Sequence, residues 1–437
     1  MYLSRRCYII LTVIILLFIG GYLFVPLYYI GQAVFYLFLI VAIYDGVCLY
    51  RTKNGIQARR ICADRFSNGD DNEILLPIQN LYARTIFLEV IDEIPFIFQE
   101  RDILFKLSLH PKEEKTISYR LKPTRRGVYS FGQIRIFVHS QLGLIVRRYT
   151  CVTPADIKVY PSYLMLHRYE LLAISNNLKE MGIKKIRRIG HQTEFEQIKD
   201  YVKGDDFRTI NWNASARRHQ LMVNVYEDER SQHIYNVIDK GRVMQQTFHR
   251  MTLLDYAINA SLMLSYVAIH KEDKAGLITF DTHFDSFVPA SKRSGQLQIL
   301  LEDLYRQTTT FGETDYSNLC IHVKKQLSHR SLLILYTNFA NLRSMKRQLP
   351  YLQQLSRDHR ILVVFFEDSE IKEYLQHAPA NTEEYFQHVI AEKFTYEKRL
   401  IVSTLKQNGI FSLLTTPKSL TIDVINKYLE MKSRQQI

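Results

Sequence analysis

Cysteine is scarce and unpatterned: five residues, Cys7, Cys48, Cys62, Cys151 and Cys320, with no Cys-x-x-Cys among them. That excludes a zinc ribbon and a secreted disulfide scaffold, and it places the soluble part in a reducing compartment. Glycine (17) and proline (11) are also few and form no tract, which rules out collagen-like, elastic and linker-dominated chains. There is no Gly-x-Ser-x-Gly elbow, Walker-type loop, His-Glu-x-x-His or dinucleotide fingerprint, so no enzyme active site is legible. Fourteen histidines are scattered without metal-ligand spacing. What is abundant is apolar sequence, 47% of 437 residues, together with an excess of basic residues that gives a net charge of +13. Such a surface attracts anions, whether phospholipid headgroups, nucleic acid or an acidic protein.

From Cys7 to Tyr44 no residue is charged. One helical span needs about 20 residues, so this stretch holds two. Gly20, Gly21, Pro26 and Gly31 interrupt it, which places the spans near residues 8–25 and 30–49 within a transmembrane hairpin, residues 1–54. Arg5 and Arg6 precede the first span, while Arg51, Lys53, Arg59 and Arg60 follow the second. Basic flanks stay inside, so both ends face the cytoplasm and the hairpin's partner is membrane lipid. Asp45 reads as an interfacial residue.

Residues 55–160 alternate at period two, as in Ile117, Tyr119, Leu121 and Ile134, Ile136, Val138, with turn formers such as Asn68-Gly69-Asp70 and Pro123 between the runs. This spacing predicts an all-β, immunoglobulin-like sandwich without that family's Trp and disulfide. Residues 161–229 read as a connecting helix, Tyr163 to Arg188, followed by a polar segment containing the chain's single tryptophan, Trp212. In that segment Gly204-Asp205-Asp206 forms a turn, Arg208 and Arg217 can clasp the carboxylates, and Trp212 can bury its ring. The residues allow three readings: a self-satisfied polar knot, a docking surface, or a carboxylate metal site that would make the chain a metal-dependent hydrolase or nuclease. Arg208 beside the two Asp residues favours ion pairing over metal.

Residues 230–437 alternate apolar strands, His233–Ile238, Ala275–Phe280, Ser331–Tyr336, Ile361–Phe366 and Phe411–Leu414, with amphipathic helices. This predicts an α/β domain with a mainly parallel sheet between helices, whose ligands gather at the carboxyl ends of the strands, where Asp239, Thr337 and Asn338 fall. The aromatic-basic run Lys393–Arg399 contains Glu397 and reads as a solvated face, so nucleic acid is not an expected partner.

The run Tyr-x-x-Gly-Asp-Asp-x-Arg-x-Ile-Asn-Trp-x-x-Ser-Ala-Arg, Tyr201 to Arg217, closely resembles the signature of the bacterial family catalogued as domain of unknown function 58. Its conspicuous positions are Tyr201, Gly204, Asp205, Asp206, Arg208, Asn211, Trp212, Ser215 and Arg217, with Asn211 standing where the family carries Asp. The resemblance implies a von Willebrand factor A-like α/β domain and a MoxR-type AAA+ ATPase as partner. It also implies a divalent-metal rim built from Asp-x-Ser-x-Ser, a loop Thr and a later Asp. Here those positions are Asp239, Gly241, Val243, Thr314 and Asn338, with Lys240 and Arg242 interleaved. A hard cation needs oxygens that this set lacks. The expectation is therefore a degenerate rim without Mg²⁺ or any other cofactor, its cations Lys240 and Arg242 receiving an acidic side chain instead. Together these readings describe a non-enzymatic, multi-pass adaptor of the bacterial inner membrane with cytoplasmic soluble domains.

Overall fold

The computed structural model describes residues 2–98, 103–151, 155–166, 194–202, 207, 210–227, 231–379, 381–434 and 436. It divides into two units, Met1–Tyr160 and Pro161–Ile437. Most of the expected connecting helix, residues 167–188, falls outside the described residues.

The first unit begins with strand β1 (Tyr2–Leu3) and helices α1 (Arg5–Leu23) and α2 (Val25–Tyr50). Both helices are long and apolar enough to cross a membrane. Side chains such as Ile9, Leu16 and Ile40 point away from the rest of the unit, which supports membrane association. The helices join at Phe24 alone, a shorter turn than Pro26 and Gly31 suggested. Pro26 sits in the first turn of α2, where no N–H is needed. Gly21 lets α1 approach Tyr28 closely, since a Cβ there would lie 2.8 Å from the Tyr28 Cα.

Strands β2 (Ile56–Ala58), β3 (Ile61–Cys62), β4 (Arg65–Ser67), β5 (Asn72–Asn80), β6 (Ile86–Asp92), β7 (Leu104–Leu109), β8 (Glu114–Leu121), β9 (Gly127–Phe131), β10 (Ile134–His139), β11 (Ile145–Cys151) and β12 (Ala155–Tyr160) follow. They form three sheets: β1-β11-β10-β6-β7, β2-β5-β3 with β8 on β5, and β4-β12-β9. Every pairing is antiparallel except β4 with β12. Period-two burial of Ile86, Leu88, Val90 and of Ile134, Ile136, Val138 makes the core, which Leu49 from α2 joins. The result is a large antiparallel region in three sheets, to which the short strand before α1 contributes, rather than the expected immunoglobulin-like sandwich.

In the second unit β13 (Glu194–Asp200) pairs with β14 (Met222–Glu227) around helix α3 (Trp212–Arg218). The central sheet holds β15 (His233–Asp239), β18 (Lys274–Phe280), β19 (Phe284–Ser291), β20 (Leu332–Tyr336), β21 (Arg360–Phe366) and β22 (Phe411–Thr415) in the order β19-β18-β15-β20-β21-β22, while β16 (Thr247–Phe248) and β17 (Met251–Thr252) make a small ribbon. Helices α4 (Leu253–His270), α5 (Gln296–Arg306) and α10 (Leu420–Ser433) share one core with the sheet. On the other face α6 (Tyr316–Gln326), α7 (Leu342–Asp358) and α9 (Thr382–Gln407) share a second core. Helix α8 (Ser369–Tyr374) precedes α9.

The von Willebrand factor A-like expectation does not stand. The sheet is mixed, because β19 runs antiparallel to β18. Only Asp281, Thr282 and His283 separate these strands, too few for the crossover that a parallel neighbour requires. No helix precedes this edge strand, so the alternation of strands and helices in the sequence does not reveal it.

Candidate functional site

β15 and β20 are parallel neighbours, so Asp239 and Thr337 emerge at the same edge of the sheet. Thr314 and Tyr316 reach that edge from the start of α6, which Asp315 caps by accepting from the Ser317 and Asn318 amides. Asp239 is fully buried. Its Oδ1 accepts from the Gly241 amide at 2.8 Å and from Thr314 Oγ1 at 2.8 Å, and its Oδ2 from Thr337 Oγ1 at 2.7 Å and the Tyr316 hydroxyl at 3.4 Å. Burial pushes its carboxyl pKa up, although these donors pull the other way.

The geometry also explains Gly241. A Cβ there would lie 2.0 Å from Thr314 Oγ1 and 3.0 Å from Asp239 Oδ1, so the threonine hydroxyl already fills the space that a serine side chain would need. The divalent metal that the sequence resemblance implied does not fit these residues. Asp239's oxygens are committed to protein donors, and Gly241 and Val243 offer no side-chain oxygen.

The other rim residues separate. Lys240 does not face the rim, correcting the expectation that it would receive an acid: its side chain is 3% exposed, and Nζ donates to Asp285 Oδ2 at 2.5 Å and to the Thr308 carbonyl at 3.1 Å. Asn338 is held by Lys398, whose Nζ donates to Asn338 Oδ1 and to the Phe339 carbonyl, both at 2.7 Å. Burial lowers the Lys398 pKa to about 8. Lys398 therefore leaves the solvated face assigned to its run, and the sequence signal that could have flagged it was its place four residues after Phe394 on a helix flanking the sheet. Arg242 is exposed, with its amide bonded to the Gly312 carbonyl at 2.8 Å.

A cleft of about 90 Å³ opens over Asp239, lined by Arg242, Glu313, Thr314, Ser344 and Arg347 among others. Among the described residues, neither Arg242 nor Arg347 makes an ion pair. Arg347 was missed in the sequence because it lies mid-helix, one turn into α7, and only the fold brings it beside Arg242.

Of the signature residues, Gly204, Asp205, Asp206 and Arg208 lie outside the described residues. Asn211 caps α3 by accepting from the Ala214 amide at 3.0 Å, while its Nδ2 donates to Asn224 Oδ1 at 2.8 Å. Aspartate could not make that second bond, which gives a physical reason for the amide at this position. Ser215 Oγ donates to the Asn211 carbonyl at 2.8 Å and accepts from the Met222 amide at 2.9 Å. The Tyr201 amide donates to the Leu221 carbonyl at 2.8 Å. These contacts close a local knot between α3 and β14. Trp212 stays outside it, 69% exposed rather than buried as expected, and Arg217 is exposed in the last turn of α3.

Residues 197–373 match the family described as Protein of unknown function DUF58. This stretch carries the match to the DUF58 family. The DUF58 segment spans the knot at Asn211, the Asp239 cluster and the arginine cleft. A curated relative, the uncharacterized protein YeaD of Bacillus subtilis (strain 168), is 25% identical over 221 residues, which is 48% of this chain and 54% of YeaD. The chain thus spans about half the length of the curated relative it matches. Among solved structures, the CARDB domain of the PF1109 protein from Pyrococcus furiosus is 19% identical, with 24% of this chain and 93% of that one covered at a TM-score of 0.19. The conserved hypothetical protein BatB from Bacteroides thetaiotaomicron is 10% identical over 47% of this chain and 99% of its own, at a TM-score of 0.29. Likenesses this weak lend the mixed C-terminal sheet no von Willebrand factor A-like identity, and none is assigned.

The raised carboxyl pKa of Asp239 fixes the sign of a pH effect. A carboxyl whose folded pKa exceeds its unfolded value holds its proton more tightly when folded, so its contribution to stability is complete below about pH 4 and declines as pH rises through the folded pKa. Urea titrations of the full chain in detergent should show the second unit losing stability over that interval, and Asp239→Asn should flatten the slope. A slope of opposite sign, or one the substitution leaves intact, would refute the assignment.

Proposed function

We propose that the chain is a membrane-anchored, non-enzymatic interaction scaffold whose arginine cleft receives an acidic segment of a partner protein. One observation carries this reading: Arg242 and Arg347 flank an open cleft with no ion pair among the described residues, while the acid beneath them has its donors already in place. A guanidinium pair binds carboxylates through directed N–H bonds, and desolvation in a cleft strengthens them. The hairpin would hold the scaffold at the bacterial inner membrane with its soluble units in the cytoplasm, and the family resemblance makes a MoxR-type AAA+ ATPase the partner to try first.

The test is anisotropy of a fluorescent Asp/Glu-rich peptide, and of the purified ATPase, against the full chain in detergent. Arg242→Glu with Arg347→Glu should weaken both by at least about 100-fold, since losing each charged hydrogen-bonded contact costs about 1.5–3 kcal/mol. Unchanged affinity for both ligands would sink the cleft as the docking site.

A further inference from the structure

The first unit grips the end of α2 in an unusually direct way. Arg84, in the turn between β5 and β6, sends Nη1 to the Tyr44 hydroxyl at 3.3 Å and to Cys48 Sγ at 2.9 Å, and its guanidinium lies 5.6 Å from the Tyr44 ring centre. Tyr44 is six residues before the end of α2, so this turn reaches about 9 Å back along the helix axis. The loop before β11 reaches the same level, because Asp45 Oδ2 accepts from the Leu144 and Ile145 amides. The loop's exposed tip is Leu142, and the β5–β6 turn exposes Leu81. Arg6, at the start of α1, approaches this loop so closely that a Cβ on Gly143 would lie 3.4 Å from its Nη1. Arg148 on β11 sits over the Tyr2 ring at 5.7 Å, beside Arg147, whose Nη1 binds the Thr52 carbonyl at 2.6 Å just past α2. Among these contacts the carboxylate of Asp45 is buried and spent on protein donors, whereas Arg6, Arg84 and Arg148 are exposed.

We propose that this edge is a binding site for anionic phospholipid headgroups, with Leu81 and Leu142 entering the acyl boundary and Arg6, Arg84 and Arg148 holding the lipid phosphate. The inference rests on the reading that α1 and α2 cross the membrane. If they do, loops reaching 9 Å back along α2 lie within the headgroup layer, and phospholipid is what they meet there. Apolar tips beside cations match that layer's own gradient from acyl chain to phosphate. Arginine suits the phosphate because its planar fork supplies several N–H donors at once.

The experiment places the full chain in nanodiscs of equimolar phosphatidylglycerol and phosphatidylcholine, releases it into detergent, and counts retained lipids by native mass spectrometry. Wild type should keep phosphatidylglycerol in clear excess. Arg84→Gln with Arg148→Gln should cut that excess about fivefold per arginine, given about 1 kcal/mol per basic residue near an anionic surface. Arg84→Lys with Arg148→Lys should retain most of it, which separates loss of charge from loss of fold. Inorganic phosphate at matched ionic strength should leave the lipid bound. Displacement by phosphate would make this a free-phosphate site and overturn the proposal, as would equal retention of the two lipids by wild type. Failure of the membrane reading would look different, with the chain leaving the membrane fraction in an alkaline wash.

Discussion

Replacing Arg60 with alanine should destabilise the β-rich unit by about 3–5 kcal/mol, the usual result of leaving one member of a buried ion pair unpaired. The side chains of Arg60 and Asp92 are 1% and 0% exposed and paired through Arg60 Nε and Nη2. Arg60 also donates to the Gly132 carbonyl at 3.0 Å and stacks 4.7 Å from the Phe131 ring centre, while the Tyr119 hydroxyl donates to the same carboxylate. Removing the cation strands Asp92 among Phe131, Tyr119 and the β6 backbone with no counter-charge. Hydrogen exchange of β6 and β10 in the full chain should then accelerate by about two to three orders of magnitude. Arg60→Met with Asp92→Leu should recover much of the loss, because desolvating the pair is itself costly. If the single substitution cost no more than a surface change, the pair would contribute nothing to this core.

The second large effect is expected at Asp45. This residue is 1% exposed and ties the end of α2 to the β-sheet: Oδ2 accepts from the Leu144 amide at 3.0 Å and the Ile145 amide at 2.9 Å, and Oδ1 accepts from Ser140 Oγ. Asp45→Ala orphans two buried amides and a hydroxyl, each worth about 1–3 kcal/mol when left unpaired. The damage should reach β1, because the Leu144 carbonyl accepts from the Ser4 amide at 3.0 Å. Limited proteolysis in detergent should cut at residues 140–146 in the variant and not in wild type. Asp45→Asn, which keeps one acceptor oxygen, should be intermediate. Equal resistance of all three proteins would show that the helix and the sheet do not depend on this contact.

Asp45 also shows what a sequence can and cannot disclose. An acid at the end of an apolar run reads as interfacial, because hydropathy reports position along the run and nothing about what packs beside it. The partners of Asp45 lie about a hundred residues away. The same limit hid Arg347, and it hid the burial of Lys240 and Lys398, since charged residues on a rim or a helix face are exposed by default. Local pattern was more informative. The five apolar runs from His233 to Leu414 are strands in the structure, and the period-two runs at 117–121 and 134–138 lie in β8 and β10. Asp239 and Thr337 were legible as strand-edge residues from their places after the strands, and Thr314 only through the family resemblance. That they satisfy one another was not, because it depends on the space Gly241 leaves for the Thr314 hydroxyl. The family signature was legible through Tyr201 to Arg217, whereas the mixed character of the C-terminal sheet hinged on a three-residue link.

The strand before α1 has a consequence for the order of assembly. Tyr2 and Leu3 pair with Val146 and Ile145, so the opening residues find their place in the sheet only after more than a hundred further residues have been synthesised. On a ribosome adding about 5–20 residues per second, the hairpin emerges many seconds before that partner exists. Its helices must therefore be housed first, leaving Tyr2 and Leu3 as a waiting edge. Closing this sheet requires Tyr2 and Leu3 to pair with residues more than a hundred positions on, a contact of very long range of the kind that slows folding.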